Sequence, residues 1–170
     1  MPYVESVIIR KAEATELAEI AKMHLSLQEH LENSNSSIWK YTKERKRLLK
    51  QQYTERLAEE NSLVLVAEVR AKIAGFLLAT VSSRTDYIPR IIGSLSSIYV
   101  HENYRRRGIG SRLVREACRF FSAKKAEHIY VRYVLGNTEG EGFWESLGFK
   151  PILLTAGTIA SAIENRISSQ

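Results

Sequence analysis

The spacing of apolar residues changes along the chain, and this change predicts the order of strands and helices. Short apolar runs typical of strands occupy residues 7–11, 63–69, 73–81, 93–100, 128–134 and 149–155. Apolar positions three and four residues apart predict helices after a Thr15 N-cap and over residues 42–60, 108–123 and 139–147. Residues 70–72 would close an antiparallel hairpin. The order predicts a three-layer α/β (α+β) fold, in which helices flank a mixed, mostly antiparallel central sheet.

The predicted strand over residues 93–100 has an irregular pattern. Its apolar residues are Leu95, Ile98 and Val100, so the spacing is three and then two. A regular strand would direct Leu95 and Ile98 to opposite faces, whereas one additional residue near Ser96 and Ser97 would return both to the same face. The pattern therefore predicts either a β-bulge, a feature often found beside active sites, or an ordinary strand buried on both faces.

A basic, glycine-containing stretch begins the helix predicted over residues 108–123. Three consecutive arginines end at Arg107, and Gly108 and Gly110 follow. A helix N-terminus presents N–H groups without intrahelical partners, and glycines allow a phosphate to approach the backbone. The stretch matches neither the P-loop nor the dinucleotide-binding glycine pattern. It predicts a pyrophosphate site, with a tight turn beside a solvated basic cluster as the alternative.

Two spaced motifs resemble the GNAT N-acyltransferase superfamily. "RRRGIG", from Arg105 to Gly110, corresponds to the family signature Arg/Gln-x-x-Gly-x-Gly/Ala. "NTEGEGFWESLGFKP", from Asn137 to Pro151, corresponds to the family's later Asn-x-x-Ala/Gly-x-x-Phe-Tyr element. The resemblance covers essentially the whole chain. It implies the GNAT acyl-CoA N-acyltransferase fold and an enzyme that transfers an acetyl group from acetyl-CoA to a primary amine of a small molecule or protein.

The resemblance also implies where acetyl-CoA binds, namely where the fourth and fifth strands separate. Peptide groups of the fourth strand would pair with the pantetheine arm, and N–H groups at the helix start would hold the pyrophosphate. Two residues of the second motif would contact the pantetheine. The implied cofactor-binding residues are Ile98, Tyr99, Val100, Arg105, Arg106, Arg107, Gly108, Ile109, Gly110, Ser111, Asn137 and Phe143.

The sequence departs from the family at the position of its general acid. Much of the family has a tyrosine there, and this chain has Trp144, whose indole N–H does not usefully release a proton. We interpret Trp144 as a packing residue at a helix surface. Tyr133 is the candidate substitute acid, and the N–H of Val100 is the candidate donor to the developing oxyanion.

The sequence does not indicate one residue as the general base. The fourth strand carries serines, and a water chain past Ser96 is one way to remove the amine proton. Glu68, Glu139 and Glu141 are expected to be solvated carboxylates. In the loop over residues 33–41, Trp39 and Tyr41 are predicted either to line an acceptor pocket or to pin the loop to the core.

Composition indicates the number of domains, the cellular location and whether a metal site is expected. The chain has 170 residues, 44% of them hydrophobic, and we predict a single domain over residues 1–170. Cys118 is the only cysteine, and neither a signal segment nor a bilayer-spanning run is visible, so a cytoplasmic location is predicted. No metal site is predicted.

The net charge of +6 has two interpretations besides binding of an acidic cofactor. A nucleic-acid-binding protein would use the arginines and the basic run over residues 43–47, but interleaved aromatic residues are missing. We therefore predict neither a nucleic-acid nor a membrane partner. The 43–47 run is interpreted as a solvated helix face.

Two further alternatives concern activity and assembly. Because of Trp144, a catalytically silent GNAT fold that binds coenzyme A as a sensor or interaction module remains an alternative to an enzyme. Ile159, Ile163 and Ile167 have helical spacing, and a terminal helix there would be a candidate homodimer contact.

Overall fold

A five-stranded sheet forms the centre of the computed structural model, which describes residues 6–168. The strands are β1 (Val7–Lys11), β2 (Ser62–Val69), β3 (Lys72–Ser83), β4 (Ile91–Val100) and β5 (His128–Val131), and they lie side by side in chain order. Neighbours from β1 to β4 are antiparallel, whereas β5 runs parallel to β4. The predicted mixed, mostly antiparallel sheet is confirmed.

Helices cover both faces of this sheet. They are α1 (Leu17–Ser34), α2 (Lys43–Ala58), α3 (Ile109–Ala123) and α4 (Thr138–Ser146), and a fifth helix, α5 (Ala160–Ser168), contributes none of its described residues to the core clusters. The core has two parts, one in which α1 and α2 pack on the sheet and one in which α3 and α4 pack on its other face. Across residues 6–168, none of the helices combines the length and the apolar character that a membrane span requires.

Successive residues of β2 show why the sheet is buried on both faces. Leu65 belongs to the core under α3, and Val66 belongs to the core under α1 and α2. Both are at most 2% exposed. Since successive side chains of a strand point to opposite faces, an unbroken apolar run is what a central strand between two helical layers requires.

The start of α2 agrees with the sequence-based prediction, whereas the start of α1 does not. Thr42 Oγ1 accepts a hydrogen bond from the N–H of Arg45 at 3.1 Å, so this threonine caps α2. The predicted Thr15 cap is wrong, because Thr15 lies inside a 3-10 turn that precedes α1. The Glu16 carboxylate accepts a hydrogen bond from the N–H of Glu13 at 2.7 Å and closes that turn instead.

The strand predicted over residues 149–155 is also wrong. These residues form neither strand nor helix, and Ile152, Leu153 and Leu154 are exposed. Their composition favours a strand, but a strand forms only where a neighbour pairs with it, and β5 is the last strand of the described sheet. The terminal helix was predicted correctly and is α5, with Ile163 and Ile167 exposed.

A close contact between β4 and α3 gives a test of this packing. A Cβ added to Gly93 would lie 2.6 Å from a ring carbon of Phe121, which is 1% exposed. We expect Gly93→Ala to lower the free energy of unfolding by about 1–3 kcal/mol, because the buried ring must move. Urea denaturation followed by circular dichroism measures this loss.

Gly142→Ala is the matched control, because a Cβ on Gly142 in α4 would have no heavy atom within 4 Å. Alanine is the better helix former, so this variant should be unchanged or more stable by up to about 1 kcal/mol. Equal stabilities for Gly93→Ala and the parent would contradict the packing described here.

Candidate active site

The parallel strands β4 and β5 separate after four paired positions. Pairing begins at Ile92 and His128 and ends at Leu95 and Val131, where β5 stops. β4 continues to Val100, so its second half has no strand on that side in the part of the chain that is described. β5 therefore ends at Val131, before the end of the strand predicted over residues 128–134. This leaves a gap between β4 and the chain that follows β5.

A β-bulge lies where the gap opens. Leu78 of β3 is opposite Ser97, but the next residue, Ala79, is opposite Leu95, so Ser96 is the additional residue of β4. The apolar spacing left two alternatives open, a β-bulge and an ordinary strand buried on both faces. The structure has the β-bulge.

The bulge decides which side chains face each helical layer. Leu95 and Ile98, three residues apart, both pack into the core under α3. Ser96 lies on the other face, where its Oγ is 3.4 Å from Thr80 Oγ1. The Ser97 hydroxyl lies beside Tyr53 of α2, on the same face. The bulge therefore presents two hydroxyl groups to the α1 and α2 side of the gap.

Backbone direction in the second half of β4 follows from one hydrogen bond. The N–H of His101 donates to the carbonyl of Ala74 at 2.8 Å. Because hydrogen-bonding direction alternates along a strand, the peptide groups of Tyr99 are directed to β3, and those of Ile98 and Val100 are directed into the gap. Three strand residues were predicted to pair with pantetheine. Two of them, Ile98 and Val100, present their peptide groups to the gap.

Arg105 links the two sides of the gap at its open end. Its Nε donates to the Val100 carbonyl at 3.0 Å, and its Nη1 donates to the Glu139 carboxylate of α4 at 3.0 Å. Its guanidinium carbon lies 5.9 Å from the centre of the Tyr99 ring. The Arg105 side chain therefore contacts both β4 and α4.

The start of α3 has a conformation suited to binding an anion. Arg106 and Gly108 have φ values of 61° and 73°, both in the left-handed region. The Arg112 N–H donates to the Gly108 carbonyl at 3.1 Å as the first bond of the helix. The three preceding N–H groups have no acceptor within the helix. They belong to Ile109, Gly110 and Ser111.

Space in front of these N–H groups is open. A Cβ added to Gly108 would have no heavy atom within 4 Å, and Arg106 and Arg107 are exposed beside it. The Arg107 guanidinium lies 5.7 Å from the centre of the Tyr104 ring. Open space, unbonded N–H groups and two cationic side chains are what a pyrophosphate requires, so the residues present fit this group.

The second motif packs against the start of α3. The Phe143 ring lies over Gly110, where an added Cβ would be 3.1 Å from two ring carbons. Asn137 caps α4, because its Oδ1 accepts a hydrogen bond from the Gly140 N–H at 3.2 Å, and His30 of α1 lies 3.3 Å from the same oxygen. The two sequence motifs therefore meet beside the gap.

Comparison with known families identifies the domain. The sequence model of the acetyltransferase (GNAT) domain matches residues 60–151, from β2 to the end of the second motif. The chain belongs to the GNAT acetyltransferase family. GNAT acetyltransferases use acetyl-CoA as the acetyl donor, in agreement with the cradle at the start of α3.

Individual relatives support the GNAT assignment. An N-alpha-acetyltransferase from Sulfurisphaera tokodaii is 28% identical over 106 residues, which are 59% of this chain and 64% of the relative. The chain thus spans less than two thirds of the length of this curated relative.

Solved structures show the same fold. A tetramutant of the BH1408 protein from Bacillus halodurans is 22% identical, with a TM-score of 0.79 over 89% of this chain and 99% of that one. The aminoglycoside N-acetyltransferase AAC(6')-Iy in complex with CoA is 16% identical, with a TM-score of 0.75 over 94% and 97% of the two chains.

Trp144, which stands at the position of the GNAT acid, and Tyr133, the candidate substitute, have different surroundings. Trp144 is 5% exposed, and its ring packs against Phe143 and Phe149 at centroid distances of 4.9 and 5.4 Å. It is a packing residue, as interpreted, but it lies in the core and not at a helix surface. Tyr133 is half-buried just beyond β5 and packs against the core under α3.

The three carboxylates considered as bases each have a protein partner, and Glu139 is also exposed to solvent, as predicted. Glu68 is paired with Arg10 at 2.7 Å and Glu139 with Arg105 at 3.0 Å. Glu141 accepts a hydrogen bond from the Gly136 N–H at 2.9 Å. Over residues 6–168, no three histidine, cysteine or acidic side chains are grouped so that they could hold a metal ion.

A buried polar cluster beside the bulge was missed by sequence reasoning. His24 of α1 is 8% exposed, its Nδ1 lies 2.6 Å from Tyr53 Oη, and its Nε2 lies 3.0 Å from Tyr41 Oη. A signal was present, because His24 follows the buried Ile20 by four residues and so continues the apolar stripe of α1.

The loop between α1 and α2 is held by one of its two aromatic residues. Tyr41 is half-buried and bonded to His24, as the pinning alternative predicts. Trp39 is 77% exposed, so it does not pin the loop. The basic run over residues 43–47 is exposed on α2, and its interpretation as a solvated face is confirmed.

Burial of the imidazole gives a prediction about pH. Burial, with a smaller contribution from Arg45, lowers the pKa of His24 to about 4. The unfolded chain then binds a proton at a higher pH than the folded one, so His24 destabilises the fold as pH falls below about 6.5. Between about pH 7.5 and about pH 5, the parent should lose about 2 kcal/mol more than His24→Gln.

Urea denaturation at the two pH values measures this difference. Carboxylates titrate equally in both proteins, so their contribution cancels. Parallel pH dependences for the parent and His24→Gln would contradict the buried, neutral imidazole.

Proposed function

We propose that the chain is an acetyl-CoA-dependent N-acetyltransferase that acts on a primary amine. One observation carries the proposal: the gap after the bulge leads directly from inward-facing peptide groups of β4 to the unbonded N–H groups of α3. A thioester arm and a pyrophosphate need these two features in this order. Family membership supports the same activity.

In this proposal the chain's own groups hold the cofactor along the gap. The peptide groups of Ile98 and the N–H of Val100 face the pantetheine arm and its thioester, whereas the Val100 carbonyl is held by Arg105. The N–H groups from Arg106 to Ser111 hold the pyrophosphate, with the Arg106 and Arg107 side chains adding positive charge. Phe143 and Asn137 form the wall on the α4 side. Arg105 acts indirectly, by fixing the end of β4 to α4.

The chemistry requires an oxyanion donor, a neutral amine and a proton for the leaving thiol. When bound, acetyl-CoA supplies the activated acetyl group. The Val100 N–H, directed into the gap, is the proposed donor to the carbonyl oxygen. Tyr133 is the proposed acid, although a thiol has a pKa of only about 8.5 and leaves readily as the thiolate.

The acceptor is proposed only as a class. One relative is named an N-alpha-acetyltransferase and one structural neighbour an aminoglycoside N-acetyltransferase, and both names describe transfer to amines. In this chain the acceptor would approach over Ser96 and Ser97, from the side of the exposed Trp39. The cytoplasmic location, the single domain over residues 1–170 and the homodimer stay predictions of the sequence.

An assay of thiol release tests the proposed activity. Purified protein and acetyl-CoA are incubated with a free N-terminal peptide, a lysine-containing peptide with a blocked N-terminus, a polyamine or an aminoglycoside. We expect thiol release to depend on one of these amines, and mass spectrometry to show one added acetyl group.

A peptide without any free amine is the control and should release no thiol above background. Binding of acetyl-CoA without turnover on any amine would contradict an enzyme. That result would support the catalytically silent coenzyme A-binding module.

A further inference from the structure

A chain of four polar side chains runs from the bulge to the surface, and we name it the hydroxyl–imidazole chain. It consists of Ser97, Tyr53, His24 and Tyr41. The Ser97 hydroxyl lies beside the Tyr53 phenol and acts on its pKa. Tyr53 Oη lies 2.6 Å from His24 Nδ1, and His24 Nε2 lies 3.0 Å from Tyr41 Oη. Two hydrogen-bond contacts and one neighbouring pair of hydroxyl groups therefore link Ser97 to Tyr41.

The two ends of this path lie in different surroundings. Ser97 is the second residue of β4 beyond the last pair with β5, so the inner end stands where the gap opens. Tyr53 and His24 are 2% and 8% exposed. The outer end, Tyr41, is half-buried in the loop that precedes α2, with the exposed Arg45 guanidinium 5.2 Å from its ring centre. The path connects the candidate site with solvent through the core.

Each member of the path both donates and accepts hydrogen bonds. Hydroxyl and phenol groups do so by rotation, and a neutral imidazole has one protonated and one unprotonated nitrogen. The titratable or charged groups facing the imidazole from the elements around it are Tyr53, Tyr41 and Arg45. These groups include no carboxylate, and burial holds the pKa of His24 well below neutrality, so the ring is neutral.

A proton outlet is needed on this face of the sheet. The acceptor nitrogen must lose a proton when it forms the amide. Glu68, Glu139 and Glu141, the carboxylates considered as bases, are each held by other groups. The opposite face at the bulge is closed by Leu95 and Ile98 in the core under α3.

We propose that the hydroxyl–imidazole chain carries the proton of the acceptor amine to solvent, an inference that rests on the proposed acetyl transfer. The amine nitrogen bonds to the acetyl carbon, and the carbon–sulfur bond breaks with its electron pair on sulfur. Ser97 takes the proton of the nitrogen as it gives its own to Tyr53. Tyr53 gives a proton to His24 Nδ1, and Nε2 gives one through Tyr41 to water. The sulfur takes one proton from solvent, which balances the reaction.

Two variants interrupt the path at different depths. Tyr41→Phe removes only the outer hydroxyl and keeps the ring. His24→Gln removes the imidazole and keeps a polar side chain. Tyr87→Phe is the control, because this tyrosine is 62% exposed in the loop between β3 and β4 and has no contact with the path. The acceptor is the amine that the thiol-release assay identifies, at saturating concentration.

We expect both path variants to lower kcat at neutral pH by about tenfold or more, the scale of general acid–base contributions. The loss should become smaller as the pH is raised, because base in the solvent then takes the amine proton increasingly without the path. The acetyl-CoA Kd and the acceptor KM should stay within about twofold of those of Tyr87→Phe, a difference below about 0.5 kcal/mol. A merely structural role would alter Kd or KM, or would lower kcat equally at every pH.

The ligand-free protein gives a second readout. Nitrogen NMR of histidine-labelled protein should show a neutral His24 ring at neutral pH, and Tyr41→Phe should shift the Nε2 signal and leave Nδ1 little changed. An imidazolium at neutral pH, or a kcat in both path variants equal to that of Tyr87→Phe, would overturn the proposal. Failure of the proposed function is a separate result, because the parent itself would then release no thiol, and this result also overturns the relay.

Discussion

The additional residue at Ser96 is the feature on which the candidate site depends. It allows Leu95 and Ile98 to pack into one core although they are three residues apart. β5 follows β4 only as far as Leu95, and beyond this point the peptide groups of β4 face a gap. A buried peptide group without a hydrogen-bond partner is costly. The unpaired peptide groups of β4 must therefore be satisfied by solvent or by a ligand in the gap.

The gap is used from both faces of the sheet. On the α3 side, the left-handed Gly108 and the close contact of Gly110 with Phe143 form a cradle of N–H groups. On the α1 and α2 side, the bulge presents Ser97 to a buried path of phenol and imidazole groups. The fold thus separates the binding of an anionic donor from the handling of an amine proton, and one irregular strand supplies both.

Sequence patterns predicted the features that depend on neighbouring residues. The spacing within β4 indicated the bulge, and the glycines after Arg107 indicated the cradle. Features that depend on tertiary contacts were not predictable in this way. The Arg105 side chain meets Glu139, 34 residues away, and no local pattern indicates that pair. Residues 149–155 have the composition of a strand without a strand to pair with. His24 could be recognised as buried, but its phenol partners come from a loop and another helix.

The central claim is that acetyl-CoA binds at the start of α3, and isothermal titration of acetyl-CoA tests it most directly. Gly108→Glu would place a carboxylate in the open space of the cradle, and Gly148→Glu is the matched control, since Gly148 also has a positive φ, 87°, and open space around it, at the other end of α4. The account predicts that the parent and Gly148→Glu bind alike and that Gly108→Glu binds at least about tenfold more weakly, a loss of about 1.4 kcal/mol or more. Equal affinity for all three proteins, or no binding by the folded parent, would contradict it.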